Sequence, residues 1–171
     1  MYRLYPDGII DVTAETKRLL SCSRLVLQFP VFWYSTPPLL KAWQDAVLTP
    51  MYYLNYATEG ALLQGLPVLL AATAGNTVEA YSPQGSNKYA LEQLFIPLQA
   101  TAHRCGWAWH RPFVLYQAHK ATAEIKTINS TSSVRLSGSG HSKLVVLLNT
   151  KIYNFIILYF CFYDDFTFMI H

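Results

Sequence analysis

Three short runs, Arg24–Phe29 (RLVLQF), Pro67–Thr73 (PVLLAAT) and Phe113–Gln117 (FVLYQ), are almost continuously apolar and bounded by turn residues. A strand with one wet face alternates apolar and polar side chains. A run that does not alternate is buried on both faces, as strands inside a parallel sheet are. Parallel neighbours cannot be joined by a tight turn and need a crossover between them, usually a helix.

The intervals between the runs carry helical periodicity. From Thr36 to Leu48, Pro37 takes a first-turn position behind Ser35 or Thr36 as cap. Leu39, Leu40, Trp43 and Val47 then share one face, opposite Lys41, Gln44 and Asp45. A second helix is expected from about Lys88 to Cys105, burying Leu91, Leu94, Leu98 and Cys105, closed by Gly106 and kinked at Pro97, which has no amide donor. An earlier one runs from Ala14 to about Cys22, opened by Asp11 or Thr13 and burying Leu19 and Leu20. Strands alternating with helices predict an α/β fold: an open parallel sheet with helices on both faces and right-handed crossovers. Ligands of such sheets bind beyond the carboxyl ends of the strands, which directs attention to the loops after Phe29 and Thr73.

A chain of 171 residues, 52% hydrophobic and only 13% charged, has the composition of a single folded domain. The formal charge of +3 is spread over isolated basic residues, which argues against nucleic acid as a partner. Cys22, Cys105 and Cys161 form no C-x-x-C pair and have no histidine at zinc spacing, which predicts a reducing, cytoplasmic setting and no metal. The first residues lack a basic stretch followed by an apolar one, so neither a secretory signal nor a membrane span is expected there.

The character of the chain changes near residue 121, since all nine prolines and all four tryptophans lie at or before Pro112. Residues 122–142 are polar and of low complexity. Two apolar runs follow, Leu144–Leu148 and Ile152–Tyr163, with Asn149, Lys151 and Asn154 breaking them up, a pattern better suited to a strand-like segment than to a membrane helix. The expected organisation is a folded domain over 1–121 and an unrelated low-complexity and apolar tail over 122–171. The Ile, Asn, Lys, Phe and Tyr bias of that tail also matches what translation of AT-rich non-coding or out-of-frame DNA would give.

The segment FPVFWYSTPPLLKAWQDAVL, residues 29–48, places Pro30, Trp33, Pro37, Leu40, Lys41 and Trp43 in a P-x-x-W-x-x-x-P-x-x-L-K-x-W pattern. This resembles the flavin-binding stretch of the DT-diaphorase-like NAD(P)H:quinone oxidoreductases. That flavodoxin-like group includes the modulator-of-drug-activity enzymes and the ancillary flavoproteins of glutathione-gated potassium efflux. The resemblance covers about residues 2–118 and implies that Pro30, Val31, Phe32, Trp33 and Tyr34 bind the cofactor, backbone amides meeting the flavin ring and aromatic side chains framing the hydride-transfer site. Reduced flavin is anionic around N1 and the C2 oxygen, so fixed amide dipoles in a dry pocket would stabilise it. On residue character alone, Trp43 reads as a core aromatic and Trp33 as a residue of the edge loop.

By the same resemblance Thr73, Ala74, Gly75 and Asn76 close over the pyrimidine end of the ring, Gly75 allowing close approach and positive φ. Tyr81 is the expected catalytic tyrosine, followed by a matching glycine at Gly85. Asn87 stands where DT-diaphorase carries a proton-relay histidine, and an amide cannot shuttle a proton. Tyr52, Tyr53 and Tyr56 fall in a region that would project across a two-fold homodimer interface. The implied cofactors are FMN or FAD with NAD(P)H as hydride donor, and the implied reaction is two-electron, ping-pong reduction of a quinone. The alternatives are a regulatory ancillary subunit of a cation antiporter and an inactive fragment. Relatives begin with a strand, loop and helix that hold the flavin phosphate. This chain begins near what would be their second strand, at about Arg3–Gly8, so the sheet is expected to lack its first strand and helix, to fold poorly and to hold flavin weakly. A strand from Leu144 to Leu148 is one way of filling that gap.

Overall fold

The computed structural model describes residues 1–120 and the strand Ile156–Phe160. Helix α1, Val12–Ser21, starts at Asp11, whose carboxylate accepts from the Ala14 amide at 2.9 Å. Leu19 is fully buried and Leu20 exposed. Neighbouring helical residues point about 100° apart, so only one of the pair can face the sheet.

Strands β1, Arg24–Pro30, and β2, Pro67–Thr73, pair in parallel from Leu25 opposite Val68 to Pro30 opposite Thr73. Their crossover opens with α2, Pro38–Trp43. Pro37, not Ser35 or Thr36, takes the capping position, and no side chain caps the helix. The helix continues through wider π-helical turns at Gln44–Leu48 and Pro50–Leu54, where the Asn55 amide reaches back five residues to the Pro50 carbonyl at 2.9 Å. Pro50 supplies the physical reason, because its ring collides with the carbonyl four residues earlier and a π turn makes room for it. The apolar face survives the change: Leu39, Leu40, Trp43, Val47, Met51 and Tyr52 are all buried.

After a 3₁₀ turn at Gly60–Leu63 and strand β2, the chain forms α3, Leu91–Leu94, and α4, Ile96–Arg104. The expected continuous helix from Lys88 thus starts late and breaks. Lys88 is left-handed at φ 65°, and Pro97 sits in the first turn of α4, where its missing donor costs nothing. Gly106, at φ 69°, ends α4 as expected. Strands β3, Ala108–Trp109, and β4, Phe113–Leu115, both lie parallel along β2, so the third apolar run ends before Gln117, which is itself left-handed.

Strand β5, Ile156–Phe160, pairs antiparallel with β1, from Arg24 opposite Phe160 to Gln28 opposite Ile156. An open parallel sheet therefore carries one antiparallel strand, in the order β3-β2-β1-β5 with β4 also on β2. The neighbour of β1 comes from the middle of the Ile152–Tyr163 run. Leu144–Leu148 lies outside the described residues. Arg3–Gly8 is a pair of turns rather than a strand, closed by Leu4 N–H to Met1 O at 2.8 Å and Gly8 N–H to Tyr5 O at 3.2 Å.

The core lies between one sheet face, formed by Leu25, Leu27, Phe29, Val68, Leu70 and Ala72, and the helices. The connections from β1 to β2 and from β2 to β3 step in one direction, so right-handed crossovers put α2 and α4 on the same face. Leu19 of α1 joins them there. On the opposite face Val26, Gln28, Leu69 and Ala71 are also buried. A buried carboxylate ties the helices together: Glu15 accepts from Tyr5 Oη at 2.9 Å, from Trp43 Nε1 at 2.8 Å and from the Arg18 guanidinium. No described helix is long and apolar enough to cross a membrane.

Candidate functional site

The carboxyl ends of β1 and β2 stay joined one residue past the strands, where the Val31 amide donates to the Thr73 carbonyl at 2.9 Å. Pro30 is buried there and Val31 half-buried. The chain then turns back on itself. Phe32 and Ser35 exchange backbone hydrogen bonds of 3.0 and 2.9 Å, leaving Trp33 and Tyr34 as the two central residues of a hairpin with φ 43° and 64°. Those positions usually go to Asn or Gly, because a Cβ is crowded in the left-handed region. Two adjacent bulky aromatics held there are strained, and strain of this kind gathers at ligand sites. Among the described residues nothing accepts from the Trp33 or Tyr34 amide. Trp33 is 94% exposed and Tyr34 49%, although both are large and aromatic.

The loop after β2 forms the other wall. Ala74 is buried and its amide donates to Leu115 O at 2.9 Å, while the Asn76 carbonyl accepts from Gln117 N at 3.1 Å and its side chain from Thr77 N at 2.9 Å. Thr73 is half-buried, Gly75 and Asn76 exposed. Gly75 does not adopt the positive φ expected of it, and a Cβ built there meets nothing within 4 Å. Its smallness answers no internal crowding.

Residues 77–87 fold tightly against themselves. A Cβ on Gly85 would lie 2.1 Å from the Glu79 carbonyl oxygen, and the Asn87 amide donates to Ala80 O at 2.9 Å. This packing turns Tyr81 inward, half-buried, with its ring 6.0 Å from that of Tyr116 and tilted by 56°. Burial raises the pKa of the Tyr81 phenol, and Tyr34 adds to the shift. Burial also raises that of Tyr116, with smaller contributions from Glu92 and Tyr81. Tyr34 Oη donates to Asn87 Oδ1 at 3.2 Å, so the two loops touch.

The structure thus gathers Val31, Phe32, Trp33, Tyr34, Thr73, Ala74, Gly75, Asn76 and Tyr81 at one edge of the sheet. It adds Tyr116, which sequence reasoning missed although it lies one residue beyond β4, where this topology puts ligand-facing side chains. The three tyrosines that the resemblance sets at a homodimer interface differ in exposure. Tyr52 is buried with its ring 6.4 Å from that of Trp107, while Tyr53 lies exposed under the Arg104 guanidinium, 5.2 Å away, and Tyr56 is exposed. Chemically, the edge offers two unspent amide donors, a wall of aromatic surface and a phenol, a set suited to a flat ring that accepts hydrogen bonds.

General stress protein 14 of Bacillus subtilis is 42% identical over 124 residues, covering 72% of this chain and 70% of that one. The uncharacterized NAD(P)H oxidoreductase YrkL of the same organism is 38% identical, covering 74% and 72%. The glutathione-regulated potassium-efflux system ancillary protein KefF of Salmonella typhimurium is 42% identical, covering 68% and 64%. Among solved structures, general stress protein 14 of Treponema denticola in complex with FMN is 36% identical at a TM-score of 0.62, covering 67% of this chain and 65% of that one. A structure described as a thermophilic tryptophan halogenase from Streptomycin violaceusniger is 43% identical at 0.66, covering 72% and 71%. Residues 2–132 match the family model described as flavodoxin-like fold, and the chain belongs to that family.

Proposed function

We propose that this chain is the flavin-binding part of an FMN-dependent NAD(P)H:quinone oxidoreductase, working in two half-reactions at one site. The observation that carries the reading is the strained Trp33–Tyr34 turn, whose two amides are unspent among the described residues and whose tip touches the loop after β2 through Tyr34 and Asn87. The FMN named in the Treponema denticola structure and the oxidoreductase name of the Bacillus subtilis relative support it.

Bound FMN would supply hydride acceptance from NAD(P)H and two-electron delivery to the acceptor. The chain's own residues do the rest. The Trp33 and Tyr34 amides donate to the ring edge where negative charge collects, and they need no reorganisation to do so. Phe32 and Trp33 cover the ring and keep water out. Tyr81, kept protonated well above neutral pH, donates to the oxygen that becomes an alcohol. Asn87 donates no proton. Nicotinamide and quinone stack on the same open side, so the first must leave before the second enters. We place the flavin-binding unit within residues 1–121.

Titration of the purified chain with FMN, followed by flavin fluorescence and bleaching with NADPH, tests this. Saturable binding, with bleaching reversed by a soluble quinone, is expected; a chain that takes no FMN would overturn it. A second reading, an ancillary subunit of a potassium-efflux antiporter, draws on the KefF relative and on exposed Tyr53, Leu54 and Leu62, apolar groups suited to a protein partner. Sedimentation of the chain alone separates a homodimer, which uses that surface itself, from a monomer that leaves it free.

A further inference from the structure

Asn87 has no proton to relay, yet the structure gives it a definite partner. Its side-chain oxygen accepts from Tyr34 Oη at 3.2 Å, across 53 residues of sequence. From this we propose that Asn87 is a positioning residue. By holding the Tyr34 hydroxyl it keeps the strained hairpin tip in place with the Trp33 and Tyr34 amides unspent among the described residues. The proposal rests on the flavin reading above and adds a task that the histidine expected at this position would not reveal.

The need for such a tie follows from the turn. Trp33 and Tyr34 both lie in the left-handed region at φ 43° and 64°, so the tip tends to relax. The reciprocal Phe32–Ser35 hydrogen bonds and the Val31–Thr73 bond fix the base of the hairpin but touch neither tip residue. Trp33 is 94% exposed and packs on nothing that could restrain it. That leaves the Tyr34 side chain, and its anchor is firm. The Asn87 amide is bonded to Ala80 O at 2.9 Å, and Gly85, two residues earlier, is wedged against Glu79 O and Ala80 O. A neutral carboxamide oxygen serves here better than a carboxylate, since it accepts from the phenol without setting a negative charge beside an anionic ligand.

Two measurements on the full chain test this: hydrogen exchange at the Phe32 and Ser35 amides without ligand, and FMN titration. Both are made on wild type, Tyr34→Phe, Asn87→Ala and the double variant. Each single change is expected to speed exchange and weaken FMN by about fivefold, the worth of one side-chain hydrogen bond. The double variant should be no worse than either single one, because both remove the same contact. Asn87→Asp, which keeps an acceptor oxygen, should restore slow exchange. Unchanged exchange in both single variants, or effects that multiply in the double variant, overturns the proposal. If the wild type takes no FMN while exchange still shows the coupling, the tie stands and the flavin reading falls instead.

Discussion

Gly85 rests against the backbone of Glu79 so closely that a Cβ would stand 2.1 Å from the Glu79 carbonyl oxygen and 2.4 Å from that of Ala80. Since the obstacle is backbone, no side-chain rotation relieves it. Gly85→Ala is expected to force residues 77–87 open and swing Tyr81 away from Tyr116. The cost should be about 1–3 kcal/mol of stability, as for other overpacked sites. Thermal unfolding measures that loss, and FMN titration of the same variant should show weaker binding.

Gly75 makes the contrast. Its Cβ position is open, and its backbone is not left-handed. Gly75→Ala should leave the unfolding midpoint within about 0.5 kcal/mol of wild type, the ordinary range for surface changes. If the ring binds as proposed, FMN affinity should nonetheless fall, because the added methyl would occupy space beside it. Loss of stability without loss of affinity would reverse this assignment.

At Trp33 stability and function should move apart. The side chain is 94% exposed, so removing it sacrifices no packing, and its φ of 43° suits glycine. Trp33→Gly relieves roughly 1–3 kcal/mol of backbone strain against roughly 0.5–1 kcal/mol of added chain entropy on unfolding. The variant should be as stable as wild type or more so in urea, while quinone reduction drops at least about tenfold.

Glu15 joins three parts of the chain through one carboxylate. Glu15→Ala strands the buried Trp43 Nε1 and removes the carboxylate beside Arg18, which keeps only the Tyr5 hydroxyl, and is expected to cost about 3 kcal/mol, near the lower limit for breaking a buried pair because Arg18 remains partly in water. Glu15→Gln keeps an acceptor for Trp43 and should cost less. Urea denaturation of the two variants orders them.

Alkaline pH should loosen the fold before acid does anything comparable through these groups. Burial raises the Cys105 thiol pKa to about 11, the Tyr52 hydroxyl and Arg104 pulling the other way, and burial pushes the phenols of Tyr52, Tyr81 and Tyr116 upward. A raised pKa means that the folded state holds the proton more tightly. The contribution of Cys105 is therefore constant below about pH 9 and is lost as pH climbs toward about 11, at up to about 1.4 kcal/mol per unit. Urea midpoints at pH 8 and 10.5 should differ, and Cys105→Ala should remove part of the difference.

Much of the sheet was legible because its signal is local. Pro67–Thr73 forms a strand over the limits its apolar run predicts, and Leu39, Leu40, Trp43 and Val47 bury the face their spacing describes. What escaped was decided elsewhere. Nothing in the letters of Trp33 and Tyr34 announces two left-handed residues, since that turn is normally written with Asn and Gly. Gly75 looked like the residue with special backbone freedom because the resemblance puts it in a cofactor-closing loop, yet the crowding falls at Gly85. The choice of Ile156–Phe160 as the neighbour of β1 could not be read locally either, because pairing of distant strands depends on where the intervening chain goes.

That last pairing bears on how the chain is made. On a ribosome, β1 can meet β2 as soon as the α2 crossover has emerged, but its other edge waits for residues synthesised about 130 positions later. At about 5–20 residues per second the wait is on the order of ten seconds. Throughout it, Leu25, Val26 and Leu27 carry unpaired backbone on an apolar strand, an open template for any neighbouring nascent chain. The yield of this protein in a cell should therefore respond to chaperone supply and synthesis rate more than its finished stability would suggest.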